Sequence, residues 1–87
     1  MESKTRLAVL IVESDQALRQ QLTAWVEEFG YQVRATSDAK NAMNTFLSER
    51  VGIILFSFNA KQMADLAIYA RIRELPQGKE IPIIVLY

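Results

Sequence analysis

Apolar and polar positions follow two alternating rhythms along the chain. Leu7 to Val12 (LAVLIV) is a continuous apolar run, β-branched at its end, and predicts a strand buried on both faces, as in a parallel sheet. From Gln16 to Phe29 the apolar residues fall at Leu18, Leu22, Trp25, Val26 and Phe29. Those spacings of three and four place them on one face of a helix, with Trp25 expected in the core. Ser14 and Asp15 precede the helix; either can cap it, and Asp15 is the expected cap. Gly30 stands where a glycine closes a helix.

Tyr31 to Ala35 (YQVRA) alternates as a half-covered edge strand should. Ser37 or Asp38 then caps a second helix with Ala39, Ala42, Met43, Phe46 and Leu47 inward. Val51 to Phe58 (VGIILFSF) predicts a second buried strand, interrupted by Ser57 and followed by a loop over Asn59 to Gln62. Ala64 to Leu75 predicts a third helix, with Leu66, Tyr69, Ala70 and Ile72 inward and Arg71, Arg73 and Glu74 outward. Pro76 stops it, Gln77 to Glu80 turns at Gly78, and Ile81 to Tyr87 (IPIIVLY) is the last strand. The order βαβαβαβ calls for an α/β fold, a parallel sheet with helices on both faces. No linker or repeat interrupts it, so residues 1–87 are expected to form one domain.

Composition narrows the chemistry. The chain is 51% hydrophobic and 23% charged, which fits a folded globule rather than a disordered segment. Ten basic and ten acidic side chains cancel, and no basic stripe marks a nucleic-acid surface. There is no cysteine, which removes thiolate metal sites and cysteine nucleophiles, and no histidine, the usual general base near neutrality. A non-enzymatic role without a cofactor is expected. No apolar run approaches the roughly 20 residues of a membrane span. The opening Met-Glu-Ser-Lys-Thr-Arg lacks the apolar core of a secretory signal, so a cytoplasmic location is expected.

LIVESDQALR resembles the start of a response-regulator receiver domain of two-component signalling. EEFGYQV, SDAKNAM, VGIILFSFNAKQMADL and IRELPQGKEIPIIVLY resemble, in order, later pieces of that family, so the resemblance covers essentially the whole chain. It implies a flavodoxin-like sheet of order 2-1-3-4, with the family's fifth strand and last helices lacking. It also implies a pocket at the carboxyl ends of the first and third strands. Typical members carry a phosphoryl group there on an aspartate, with Mg²⁺ held by that aspartate and an acidic pair.

In this chain the acceptor position falls on Ser57 and the acidic pair on Glu13 and Ser14. The hydroxyl position after the fourth strand falls on Tyr87, and the Pro-Gly loop on Lys61 and Gln62. An acyl phosphate needs a carboxylate nucleophile, which serine does not provide. Only Glu13 remains as an acidic ligand, against the oxygen-rich octahedron Mg²⁺ prefers. Loss of aspartyl phosphorylation and of Mg²⁺ dependence is therefore expected, with Glu13 a solvated carboxylate at the pocket mouth, open to pairing with a lysine, and Ser57 a locally hydrogen-bonded polar residue.

The last strand carries a further expectation. Ile83, Ile84, Val85 and Leu86 form an uncharged edge, a template for pairing with a second copy. The missing fifth strand suggests an incomplete domain, and the first helix should lose a packing neighbour. The leading expectation is a receiver-like module acting through protein partners or self-association, with no nucleic-acid or membrane partner. One alternative is a conventional phosphorelay receiver using Asp15 and Asp65, which requires the third strand to slip by eight residues. Another is a flavin or nucleotide binder, disfavoured because Glu13 to Gln16 is no glycine-rich phosphate loop.

Overall fold

The computed structural model describes residues 7–57 and 64–86, of which 64–66 by backbone alone. Strands β1 (Ala8–Val12), β2 (Gln32–Thr36), β3 (Val51–Ser57) and β4 (Ile83–Leu86) alternate with helices α1 (Gln16–Glu28), α2 (Ala39–Ser48) and α3 (Ala64–Glu74). A 3₁₀ turn at Pro76–Gly78 separates α3 from β4. The sheet is parallel and ordered β2-β1-β3-β4, as expected for a flavodoxin-like α/β fold. Phe58, the loop 59–62, Tyr87 and the side chains of Asp65 and Leu66 lie outside the described residues.

β1 is buried throughout because it pairs on both sides and carries apolar side chains on both faces. On one face Leu10, Val12, Ile54 and Phe56 pack with Ala42 and Phe46 of α2 and with Ile68 and Ile72 of α3. On the other, Val9 and Ile11 meet Leu22 and Val26 of α1. The helix ends form as their sequences direct. Asp15 caps α1 by accepting the Leu18 N–H at 3.0 Å, and Asp38 caps α2 by accepting the Asn41 N–H at 2.8 Å. Gly30 closes α1 at φ +90°, a conformation that favours glycine, and its N–H donates to Glu27 O at 2.9 Å.

The core differs from the periodicity in three places. In α1, Leu22 is buried and Val26 half-buried, but Leu18 is exposed, Trp25 is 53% exposed and Phe29 79% exposed. Trp25 is thus a surface residue and not a core one. The reason is geometric: α1 lies over β1 and β2, and among the described residues no helix covers β3 and β4 on that face. The outer flank of the apolar stripe therefore has nothing to lie on, and Ile53 and Leu55 of β3 are only half-buried. In α2, Leu47 is exposed while Phe46 takes the core position beside it.

In α3 the buried side chains are Ile68 and Ile72; Tyr69 and Ala70, expected inward, are exposed. Arg73, expected outward, is half-buried because its Nη1 donates to the carbonyl oxygens of Gly78, Lys79 and Ile81 at 3.1, 3.2 and 2.9 Å. Its guanidinium also stands 5.7 Å from the Tyr69 ring centre. Arg73 thereby ties α3 to the segment that leads into β4.

Candidate functional site: the cleft at the ends of β1 and β3

β1 lies between β2 and β3, so the chain departs to opposite sides from the carboxyl ends of β1 and β3. A crevice at that reversal is where sheets of this type place their ligands. The register pairs Val12 with Phe56, which brings Glu13, just past β1, level with Ser57, the last residue of β3. On the far side Val12 pairs with Thr36, and the Glu13 N–H donates to Thr36 O at 3.0 Å. The three expected pocket residues are therefore gathered at one end of the sheet. Ser14 is exposed and Ser57 half-buried.

Glu13 departs from expectation. It is 6% exposed, not solvated, and no lysine or arginine pairs with it among the described residues. Its carboxylate folds back on its own loop, where Oε2 accepts the Asp15 N–H at 2.8 Å. Oε1 is buried and has no hydrogen-bond partner among the described residues. Burying a carboxylate oxygen without a donor is costly.

Arg19 completes the loop. Its Nη1 donates to the Glu13 carbonyl at 2.9 Å and to the Ser14 carbonyl at 3.4 Å. Thr36 is buried, and its hydroxyl donates to Ile11 O at 3.2 Å. These two partners escaped the reading of the sequence, although Arg19 carries a usable signal: an arginine one helical turn past a capping Asp15 can reach back over the preceding loop.

The donor set bears on Mg²⁺. Glu13 offers one uncommitted oxygen, Ser14 and Ser57 offer neutral hydroxyls, and Asp15 is engaged as a helix cap. Among the described residues no three acidic side chains gather to hold a metal ion. This set does not fit the ion, which takes near-octahedral oxygen ligands, usually with carboxylates joined by phosphate oxygens.

The model of the response regulator receiver domain matches residues 9–86. The chain belongs to this family. A two-component response regulator-like protein of Arabidopsis thaliana, APRR9, is 34% identical over 85 residues, which are 95% of this chain and 18% of that protein. The chemotaxis response regulator CheY4 of Vibrio cholerae superimposes with a TM-score of 0.83 at 24% identity, over 92% of this chain and 67% of that one. The pseudo-receiver domain of the CikA protein gives a TM-score of 0.75 at 16% identity, over 92% and 68%. This receiver chain thus spans under a fifth of its plant relative and about two thirds of the structures it superimposes on. Those structures share its fold.

β4 is the strand on which the expectation of self-association rests. Among the described residues β4 pairs with β3 alone, and Ile84, Val85 and Leu86 are exposed, with Ile83 half-buried. Behind it a cavity of about 160 Å³ runs between α1 and the sheet, walled by Val26, Phe29, Ile53, Leu55 and Ile84. No described helix is long and apolar enough to cross a membrane.

Proposed function

We propose that this receiver works as a non-enzymatic protein-interaction module in two-component signalling, without aspartyl phosphorylation and without Mg²⁺. The observation that carries the reading is the pairing at the cleft: Ser57 ends β3 level with Glu13, whose carboxylate is turned inward onto Asp15. Phosphoryl transfer rests on positioned charge around the moving group, and this cleft offers little. Asp15, the carboxylate a conventional receiver would need here, is engaged as the cap of α1.

The module acts in the cytoplasm, through protein partners and through self-association along Ile83, Ile84, Val85 and Leu86. Four uncharged residues with no strand on their outer side among the described residues suit pairing across a two-fold axis. Nucleic acid and membrane are not its partners.

The test is incubation with acetyl phosphate, or with beryllofluoride, in the presence of Mg²⁺. Intact mass and the fluorescence of the exposed Trp25 are followed. No added phosphoryl mass and no saturable fluorescence change are expected. A saturable response with a mass gain on an aspartate overturns the reading.

A further inference from the structure

On the face of the sheet away from α1, helices α2 and α3 leave a groove of about 330 Å³. Its floor and walls are Ala39 and Met43 of α2 and Ala67 and Ile68 of α3, and its rims carry Lys40 and Arg71. We propose that this groove docks an amphipathic helix of a partner protein, one whose apolar stripe is bordered by acidic side chains. The proposal rests on the interaction-module reading and deepens it by naming the partner's chemistry.

Charge selects the occupant. Lys40 and Arg71 are exposed, stand on opposite walls, and have no carboxylate partner among the described residues. Among the described residues no acidic side chain lines the groove. The nearest carboxylate along α2, Asp38, is already engaged by the Asn41 N–H at 2.8 Å and by Asn41 Nδ2 at 3.0 Å. A docked segment therefore meets an apolar trough with a cation on either side, which favours carboxylates flanking its stripe.

Lys40 gives a second reason. It sits in the first turn of α2, which holds no acidic residue of its own, and the capping Asp38 carboxylate beside it is committed to Asn41. A cation there opposes the helix dipole. A residue that breaks a local rule without a local gain points to a use elsewhere, and a partner carboxylate over Lys40 supplies one. The walls suit a helical guest as well. The trough lies between two helices and is floored by apolar side chains, the kind of groove into which an amphipathic helix lays its apolar face. Met43 adds an adaptable surface at the centre.

The probe is a labelled helical peptide of about 14 residues, roughly 20 Å long, with leucines in a stripe flanked by glutamates. Its binding to the full 87-residue chain is followed by fluorescence anisotropy. Saturable binding that weakens with salt is expected. In the K40E/R71E variant, checked for its helical signal, affinity should drop by roughly tenfold. A peptide with lysines in place of the glutamates should bind that variant better than the unaltered chain. Equal binding of both peptides to the unaltered chain overturns the proposal, as does unchanged affinity in K40E/R71E. If K40E/R71E instead abolishes self-association and the peptide does not bind, the occupant is a second copy and the proposal is wrong. None of these outcomes depends on the phosphorylation test, so the two readings fail separately.

Discussion

Arg73 and Ile81 are joined across the connector that leads α3 into β4: the guanidinium Nη1 donates to the Ile81 carbonyl at 2.9 Å while also serving Gly78 and Lys79. One charged group thus fixes three backbone acceptors at the entry to the edge strand. Arg73→Ala should destabilise the fold by about 1.5–3 kcal/mol, the range for hydrogen bonds to charged groups. Arg73→Lys should recover only part of this, because the shorter lysine brings its ammonium short of the position of Nη1 and loses the planar group beside Tyr69. Urea unfolding of the three proteins checks it; equal midpoints would remove the clamp from the account.

Gly78 is buried directly beneath α3. A Cβ there would collide with the Ile72 carbonyl oxygen and stand 2.9 Å from Ile72 Cγ2. Because backbone on one side and a fully buried side chain on the other leave no room, Gly78→Ala should cost at least about 2 kcal/mol. Gly30→Ala meets no neighbour, and only the positive φ opposes it, at about 1 kcal/mol. Thermal melts of the pair should rank them in that order.

Glu13 offers a test of its buried oxygen. Glu13→Gln keeps an acceptor for the Asp15 N–H and removes a buried charge, so stability should hold or rise. Glu13→Ala strips that N–H of its acceptor and should cost about 1–2 kcal/mol. Should Glu13→Gln prove the more damaging of the two, the carboxylate has a partner that the geometry does not reveal.

Asp38 has its pKa held below the ordinary carboxylate value, chiefly by the Asn41 backbone N–H it accepts. A depressed folded-state pKa adds stability above the unfolded value, and that contribution is lost as pH falls through the folded value. The difference in urea midpoint between the unaltered chain and Asp38→Ala should therefore be largest near neutrality and shrink in acid. A difference that grows on acidification would reverse the assignment.

The edge can be blocked without touching the core. Ile84 is 49% exposed on β4. Ile84→Lys places a charge where a second strand would add and should abolish concentration-dependent association while leaving the far-UV spectrum intact. Sedimentation across a range of concentrations decides this. If the unaltered chain is a monomer throughout, self-association through β4 is excluded.

Most of the fold could be read from the pattern of residues, because each element carries its own punctuation. Asp15, Gly30, Asp38 and Pro76 mark ends that the structure reproduces to within a residue or two. The doubly apolar β1 fixes a parallel, two-sided sheet. Burial was less legible, since a helical stripe says which side is apolar but not how wide a surface lies beneath it. Trp25, Phe29 and Leu47 failed for that reason. At the cleft, the resemblance to receiver domains gave the positions of Glu13, Ser14 and Ser57. The inward turn of Glu13 depends on a local backbone path that no spacing encodes. Arg73 was misjudged because its acceptors are main-chain carbonyls, which are invisible to a pattern of side chains.

Gly52 gives β3 its consequence. The pairing of β1 with β3 runs from Ala8 with Val51 to Val9 with Ile53, so one residue of β3 is looped out of step. Uninterrupted pairing would align Leu55 with Val12 and deliver Phe56 to the mouth of the crevice. The small hydroxyl level with Glu13 is thus chosen at the opposite end of the strand, where a side chain on Gly52 would press against Leu7 at 2.8 Å. What the crevice displays is decided by a miscount made some five residues earlier.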